Sequence, residues 1–249
     1  MTSGIEQLTN WQQVAQTIEP VSLGPTIVLS PHPDDESLGC GGTLALLQEL
    51  GIPVHVVMIS DGSKSHPNSQ KYPAERLRNL REAETREALT ELGLSPDTVT
   101  FLRLPDGAVP ADPQTTTFAD AADRLLTELN RHRPQTVFVP WRRDNHRDHR
   151  ATYRLLQSAL PRMTVQPSVL EYAVWLWELG QPDDMPQPND HIRAIGIDIS
   201  AVRDRKHRAI AAHASQVTQM IDDDPQAFWL RPDLLVYFDG NTELFFEAQ

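Results

Sequence analysis

Residues 25–30 have the sequence PTIVLS, and PHPDDE follows directly at residues 31–36. The first stretch is a short apolar run of the length typical of a buried strand. Comparable runs recur at residues 54–60, 99–104 and 136–140. Segments with helical periodicity alternate with them, at residues 41–50, 72–92, 115–132 and 147–160. Because this alternation indicates βαβ units, we expect an α/β fold, a Rossmann-like doubly wound three-layer α/β/α sandwich with a mainly parallel sheet.

The C-terminal part is less regular and is predicted to add further strands to this sheet. Trp175 and Trp177 alternate within the first of them, and we favour core packing over sugar stacking for this pair. We expect one domain over residues 1–249, with roughly the first 20 residues peripheral and residues from about 170 onward completing a pocket. The predicted elements are strands at 169–177 and 194–199, a helix at 201–216 and a strand on the sheet edge at 243–247.

Composition excludes several classes of protein. The chain has 249 residues and a formal net charge of −12, which argues against a nucleic-acid binder and against a polybasic membrane-surface protein. Its single cysteine, Cys40, cannot form an internal disulfide. The polar N-terminus does not resemble a signal peptide, and no apolar stretch is long enough for a transmembrane helix. We expect a cytoplasmic protein with a small-molecule partner; the oligomeric state, a homo-oligomer included, stays open.

The first chemical motif is PHPDDE, at the carboxyl end of the first predicted strand. Ligands bind at this end of the strands in open α/β sheets. His32 and the adjacent carboxylates of Asp34 and Asp35 suit a metal such as zinc, and one of the two carboxylates can act as a base. The alternative is a simple turn with a helix-capping aspartate, because Pro and Asp are common in turns.

The second motif is DNHRDH at residues 144–149, directly after the fourth predicted strand. At the start of a helix, His146 and His149 would share one face. The alternative interpretation is capping, with Asn145 as N-cap and Asp148 at the third helical position. In the common doubly wound strand orders the first and fourth strands are neighbours, so the fold would bring both motifs face to face.

Together these motifs resemble those of the PIG-L/LmbE-like N-acetylglucosaminyl deacetylases. This zinc-dependent family includes deacetylases of glycolipid-anchor, mycothiol and bacillithiol biosynthesis. The resemblance implies hydrolysis of the N-acetyl group of an N-acetylglucosamine-type conjugate by a metal-activated water. Further similar segments are ESLGCGG at 36–42, Arg81 with Glu84, Leu92-Gly93, LPDG at 104–107 and AHASQ at 212–216.

The resemblance also implies residue roles. Asp34 matches the general base, and His146 matches the residue that stabilises the oxyanion and protonates the leaving amine. Asp148 matches the residue that orients His146. The matched zinc ligands are His32, Asp35 and His149, and the matched substrate contacts are Arg81 and Asp106. Because His and Asp ligands also accept Fe(II), Co(II) and Mn(II), the metal itself is not fixed by sequence.

Two other functions stay open at this point. Two histidines and one carboxylate also form the facial triad of non-haem Fe(II) oxygenases, although the usual home of that site is a β-barrel. A non-catalytic sugar-binding module with a leftover metal site is the other alternative. One departure limits the resemblance, because Asp144 stands where the mycothiol enzyme of the family carries a tyrosine that helps catalysis.

Two further clusters, one of glycines and one of arginines, lie next to the motifs. The glycines of residues 39–42 lack the spacing of a dinucleotide-binding loop, so we expect them to serve close backbone packing. Four arginines surround the second motif and could either bind an anionic substrate group or pair with surface carboxylates. They are Arg142, Arg143, Arg147 and Arg150.

Overall fold

The computed structural model describes residues 4–249, in which eight strands form one mixed sheet. The strand order is β1-β7-β8-β6-β5-β2-β3-β4, and only β8 runs antiparallel to its neighbours. This confirms the predicted doubly wound α/β architecture with additional C-terminal strands. The strands are β1 (Gln16–Thr17), β2 (Thr26–Ser30), β3 (Val54–Ser60), β4 (Val99–Leu104), β5 (Thr136–Pro140), β6 (Ser168–Tyr172), β7 (Ile192–Asp198) and β8 (Thr242–Ala248).

Helices cover both faces of the sheet. On one face α2 and α3 pack against α7, and on the other α4 packs against α5. The described helices are α1 (Gly4–Val14), α2 (Asp35–Glu49), α3 (Ala74–Glu91), α4 (Thr116–His132), α5 (Arg147–Ala159), α6 (Leu176–Leu179), α7 (Arg203–Ala212), α8 (Ala214–Val217) and α9 (Pro232–Leu235). Among them, none combines the length and the apolar character that a membrane crossing requires.

The strand side chains supply two separate cores because successive residues of a strand point to opposite faces. In β2, Ile27 and Leu29 belong to the core beneath α4 and α5, whereas Val28 belongs to the core beneath α2, α3 and α7. Strand β5 divides in the same way, with Phe138 on the α2 side. Both faces of these strands are buried, which explains their continuous apolar runs.

The strand order brings the two chemical motifs together. Strand β2 pairs in parallel with β5, as Thr26 opposite Thr136 shows, so the segments that follow both strands meet at one edge of the sheet. The first motif becomes the turn and first turn of α2, and the second becomes the loop and first turn of α5. The predicted adjacency of the first and fourth sequence-derived strands is therefore confirmed.

The C-terminal predictions need three corrections. The strand predicted at 169–177 ends at Tyr172, because the chain turns there into α6 and Trp177 packs in a helix against Tyr237. The helix predicted at 201–216 is interrupted at His213, whose backbone leaves the helical conformation. The last strand lies between β6 and β7 rather than on an edge, because it pairs on both sides.

Close packing explains the glycines of α2. A Cβ atom on Gly39 would lie 2.3 Å from the ring of Tyr172, and one on Gly42 would lie 2.6 Å from Ile199. The helix can approach the sheet only because these positions carry no side chain. This packing holds the N-terminal end of α2, and the motif on it, against β6.

Candidate active site

His32, Asp35 and His149 converge at the carboxyl ends of β2 and β5. The Asp35 Oδ2 atom lies 3.2 Å from His32 Nδ1 and 3.2 Å from His149 Nε2. Asp35 and His149 are almost fully buried, and the His32 side chain is 12% exposed. One carboxylate therefore links two histidines that are more than a hundred residues apart in sequence.

These side chains fit a divalent cation. Both ring nitrogens of His149 are buried, and neither makes a well-aligned hydrogen bond within residues 4–249, although carboxylate oxygens lie 3.2 Å from Nε2 and 3.3 Å from Nδ1. The ligand atoms of His32, His146 and His149 lie within 4.8 Å of one another, which places His146 beside the same centre. Imidazole nitrogens with a carboxylate oxygen are typical zinc ligands, and this set leaves room for a further ligand.

The ionisation of Asp35 and that of His149 depend on each other because the two side chains are buried in contact. Burial opposes ionisation of Asp35, yet the adjacent His149 and His32 hold the pKa of this carboxyl well below its usual range. Burial likewise disfavours the His149 imidazolium, but Asp35 and Asp144 raise the pKa of His149 to about 9. The protein thus stabilises positive charge at this point, and a bound cation would replace the proton.

Asp144 is a site residue that sequence reasoning missed. Its Oδ1 atom lies 3.3 Å from His149 Nδ1 and accepts a hydrogen bond from the His146 backbone N–H at 3.0 Å. Its Oδ2 atom accepts from the Trp175 N–H at 3.0 Å. Asp144 therefore fixes the far side of the His149 ring and ties the β5 loop to the segment after β6. Its position two residues before His146, within the second motif, was the sequence feature that could have indicated a site residue.

Asp34 occupies a strained backbone position beside the metal-ligand candidates. Its backbone φ angle is 134°, in a region that residues other than glycine rarely adopt. Burial raises the pKa of Asp34 to about 7; Arg81 opposes that rise, and the like charge of Asp35 adds to it. A carboxylate with this pKa can both take up and release a proton near neutral pH.

Arg81, predicted as a substrate contact, is engaged mainly by the protein. Its guanidinium donates to the Pro33 carbonyl at 2.6 Å, to the Gly62 carbonyl at 2.9 Å and to Asp34 Oδ2 at 3.2 Å. The side chain is buried but still lines the cavity described below. Arg81 thus connects α3 to the strained turn that carries Asp34.

His146 and Asp148 are arranged differently from the predicted pair. His146 is the N-cap of α5, and its Nδ1 accepts a hydrogen bond from the Asp148 backbone N–H at 3.2 Å. This corrects the capping box that we considered, in which Asn145 was the N-cap. The Asp148 carboxylate instead accepts from the backbone N–H groups of Gly107 at 2.7 Å and Val109 at 3.2 Å. It orients the loop after β4, and its contact with His146 is through the backbone.

A second buried pair supports the same turn from behind. His213 Nε2 lies 2.9 Å from Glu36 Oε1, and both side chains are fully buried. The other oxygen, Glu36 Oε2, accepts from the Asp34 backbone N–H at 3.2 Å and from the Ser30 hydroxyl at 3.1 Å. The pair thus braces the backbone of Asp34. The family resemblance of residues 212–216 places His213 near the active site, with a surface helix histidine as the alternative, and it gives Glu36 no role. His213 is fully buried.

A cavity of about 390 Å³ opens onto these groups. Its polar lining includes Asp34, Asp35, His146 and Asp106, whose Oδ2 accepts from the Lys64 backbone N–H at 2.7 Å. Its apolar lining comes partly from residues beyond β6. It consists of Leu38, Val174, Trp175, Leu179, Phe228 and Leu230. Trp175 and Trp177 pack against the larger core, as predicted, and Trp175 also lines the cavity because the chain leaves the sheet at Tyr172.

The arginine cluster around the second motif lies outside the cavity wall. Arg142 pairs with Glu171, and Arg143 pairs with Asp190. Arg150 donates to the Asp144 carbonyl at 2.6 Å. Three of the four guanidinium groups are therefore bound by the protein itself, which favours the pairing interpretation over an anion site.

The comparisons with known proteins agree with this geometry. A sequence model of the family described as "GlcNAc-PI de-N-acetylase" matches residues 27–160, more than half of the chain and both motifs. The chain belongs to the PIG-L family. Membership places this PIG-L protein among de-N-acetylases, as the resemblance of the two motifs implied.

Named relatives and solved structures extend the comparison. This PIG-L chain is 28% identical over 204 residues to the "Probable N-acetyl-alpha-D-glucosaminyl L-malate deacetylase 2" of Bacillus cereus, with 79% of this chain and 86% of that protein covered. An N,N'-diacetylchitobiose deacetylase from Pyrococcus horikoshii has the same fold, with a TM-score of 0.67, 21% identity, and coverage of 96% and 85%.

One similar structure has a different printed activity. The 4-carboxy-2-hydroxymuconate hydratase from Pseudomonas putida matches this PIG-L chain with a TM-score of 0.62 and 25% identity, covering 78% and 80% of the two chains. The fold therefore hosts both amide hydrolysis and water addition among its relatives. The residues of the site, rather than the fold, have to carry the functional argument.

Proposed function

We propose that this protein is a zinc-dependent hydrolase that removes the N-acetyl group from an N-acetylglucosamine-type conjugate. One observation carries the proposal: Asp35 Oδ2 lies 3.2 Å from both His32 and His149, with Asp34 next in sequence at the cavity wall. A catalytic metal site needs about three protein ligands, an open position and a nearby base, and this arrangement supplies all of them. Family membership and the name of the Bacillus cereus relative support the amide substrate.

In this proposal His32, Asp35 and His149 hold the cation, and Asp144 orients His149 from behind. A divalent cation held there supplies Lewis acidity for the attacking water and the amide carbonyl. Zinc is the best fit to the donors, and Fe(II) or another divalent metal is the alternative. The excess of carboxylates around the centre favours a cation over an anion at this point.

Asp34 acts as the general base in this scheme. Its carboxylate takes a proton from the attacking water while the new C–O bond forms at the amide carbon. The same group then returns the proton to the nitrogen as the C–N bond breaks, so acetate and a free amine leave. Arg81 and Glu36 hold Asp34 in place during both transfers, through its side chain and its backbone respectively.

His146 stabilises the tetrahedral intermediate in this scheme. Because Nδ1 accepts the Asp148 backbone N–H, the neutral ring carries its proton on Nε2. That single N–H is available to donate a hydrogen bond to the oxyanion. The sequence resemblance gave His146 two roles, and we retain the oxyanion role because burial and the neighbouring His32 lower the pKa of His146 to about 4, so the ring is neutral near pH 7.

The cavity suits an amino sugar with a partly apolar environment. Asp106 would accept a hydrogen bond from a sugar hydroxyl, while Arg81 would touch substrate only through its exposed edge in the cavity wall. Trp175 offers a flat ring for one sugar face. We also propose that residues from about 170 onward complete this pocket within a single domain, because Trp175, Phe228 and Leu230 all lie in its wall.

The decisive experiment is acetate release from a panel of N-acetylglucosamine derivatives. Protein stripped of metal is assayed with and without added Zn²⁺, and Asp34→Asn serves as the catalytic control. We expect release that depends on zinc and is lost in the variant. Release without metal would contradict the metal mechanism, and equal release by Asp34→Asn would contradict the base assignment.

If no member of the panel releases acetate, a different reaction at the same site would be favoured. Water addition to a carbon–carbon double bond would then be tested first, because the hydratase of Pseudomonas putida shares this fold. Tight glycan binding without turnover would instead favour the sugar-binding module. An Fe(II) oxygenase is disfavoured, since the sheet is an open doubly wound sheet and not a barrel.

A further inference from the structure

A second cluster of metal-binding side chains lies at the opposite end of the sheet. His55 is the second residue of β3, so it sits near the amino ends of the strands, whereas the active site follows their carboxyl ends. Glu128 and His132 lie one turn apart at the end of α4, which covers this part of the sheet. We name these three residues the His55 cluster.

The side chains of the His55 cluster are close enough to share one ion. The ligand atoms of all three residues lie within 4.8 Å of one another. The rings of His55 and His132 stack with centroids 3.8 Å apart and planes 18° apart. His132 Nε2 lies 3.6 Å from Glu128 Oε2, too far for a hydrogen bond.

One atom of the cluster has no satisfied partner. His132 Nε2 is buried and has no hydrogen bond to any residue that the structure describes. Buried polar nitrogens are nearly always paired, so this one points to a missing ligand, water or ion. The cluster lies near the protein surface, because the His132 side chain is 27% exposed and that of Glu128 is 12% exposed.

Thr100 of β4 fixes the cluster from the sheet side. Its hydroxyl donates to Glu128 Oε2 at 3.1 Å and lies 2.9 Å from His55 Nε2. This hydrogen-bonded chain holds the strand histidine and the helix glutamate in one place before any ligand arrives. Such preorganisation reduces the entropy that a ligand would otherwise lose on binding.

We propose that His55, Glu128 and His132 form a second divalent-cation site, separate from the catalytic centre. Two imidazoles with one carboxylate suit Zn²⁺, Co²⁺ or Ni²⁺ rather than Ca²⁺ or Mg²⁺, which prefer oxygen ligands. Glutamate and histidine four residues apart face the same side of a helix and can bind one ion together. The ion would clamp the end of α4 to β3 and stabilise the folded chain.

The test counts zinc equivalents on the full chain. Protein is stripped with a chelator, dialysed and titrated with Zn²⁺ by calorimetry, and bound metal is measured after gel filtration. The variants are His132→Gln and Glu128→Gln, which keep size and hydrogen-bonding capacity. The matched control is His207→Gln, since His207 is also a helix histidine beside a carboxylate, Asp239, outside both clusters.

We expect each cluster variant to bind one equivalent fewer than the wild type and to lose the zinc-dependent rise in Tm that this equivalent provides. The control should match the wild type. Acetate release should be unchanged in the cluster variants, because the site lies away from the cavity. An equal number of equivalents in all four proteins, or a loss confined to the control, would overturn the proposal. The comparison is independent of whether the cavity proves to be a deacetylase site.

Discussion

The Asp34 carboxylate lies 3.2 Å from the Arg81 guanidinium, although the two residues are 47 positions apart in sequence and Arg81 belongs to α3. Arg81 also binds the Pro33 carbonyl, so one side chain of α3 holds both the backbone and the carboxylate of the strained turn. A residue that resembles a substrate contact in sequence therefore acts first as a support for the proposed base.

Asp34→Asn should abolish most acetate release and leave metal binding intact. The amide keeps the size of the side chain but cannot accept the proton from water, and general-base catalysis is worth about 10²–10⁴-fold. The turnover number and the zinc content of the same preparation are the two measurements. Loss of zinc from this variant would mean that Asp34 is a ligand, and unchanged turnover would mean that another group is the base.

Arg81→Met should destabilise the protein and misplace Asp34. Two backbone carbonyls and one carboxylate lose their donor, and leaving a buried charge unpaired costs about 3–5 kcal/mol. Urea unfolding measures the free energy of unfolding, and steady-state kinetics measure kcat and KM. We expect kcat to fall more than KM rises, with Arg81→Lys intermediate; a change confined to KM would restore the substrate-contact role.

Asp144→Asn should weaken metal binding by about 10–100-fold. The amide has a single acceptor oxygen, so it keeps only one of the two hydrogen bonds from the His146 and Trp175 backbones, and it removes the negative charge beside His149 Nδ1. Zinc affinity is measured by competition with a chromophoric chelator. Asp190→Asn is the control, because Asp190 pairs with Arg143 outside the cavity. Equal affinities in both variants would remove Asp144 from the metal site.

Lys206→Met should lower the free energy of unfolding by about 3 kcal/mol. Lys206 Nζ lies 2.7 Å from Glu243 Oε1, and both side chains are almost fully buried. Glu243 keeps its hydrogen bonds from the backbone of Gly42 and Thr43, so the loss should fall at the lower end for a broken buried pair. Thermal and urea unfolding measure it. A change below about 1 kcal/mol would show that the pair is solvated in solution.

Acid should destabilise the metal-free protein through His55. Burial, and then the neighbouring His132 and Arg131, lower the pKa of His55 to about 4, while Glu128 is the acid that faces this pair. The unfolded chain, with an ordinary histidine pKa of about 6.5, binds more protons below that pH. The contribution of His55 to the free energy of unfolding should therefore be constant above about pH 6.5 and fall by about 1–2 kcal/mol between pH 6.5 and 4.

The matched variant for this pH effect is His55→Gln, which keeps a hydrogen-bonding group beside Thr100 but does not titrate. Urea unfolding in the presence of a chelator, at pH 7.5 and pH 5, compares the two proteins. We expect a smaller difference between the two pH values in the variant. An identical pH dependence would assign the acid sensitivity to other groups.

Much of the parallel half of the molecule could be predicted from sequence. Strands such as 25–30 are buried on both faces, so their apolar runs are unbroken and local signals suffice. The two motifs were placed correctly because β2 and β5 are neighbours at the switch point of the sheet. The site residues His32, Asp35 and His149 meet there for this topological reason.

The C-terminal part could not be predicted to the same depth, because its structure depends on partners that are distant in sequence. The apolar run at 169–177 predicts a strand that includes Trp175, but the chain turns out of the sheet after Tyr172. The role of the Asp144 carboxylate depends on its hydrogen bond from the Trp175 backbone, which no local sequence pattern indicates. Likewise, nothing local showed that His213 would reach back across 177 residues to Glu36.

The position of β8 has a consequence for how the chain folds as it is synthesised. Strand β8 is the last of the eight to emerge from a ribosome, yet it lies between β6 and β7. Until residues 242–248 have emerged, β6 presents an open edge, and β7 and β1 have no place to dock. A nascent chain would therefore carry β6 as an unpaired edge strand from the emergence of residues 168–172 until that of residues 242–248, and unpaired edges invite aggregation and chaperone binding.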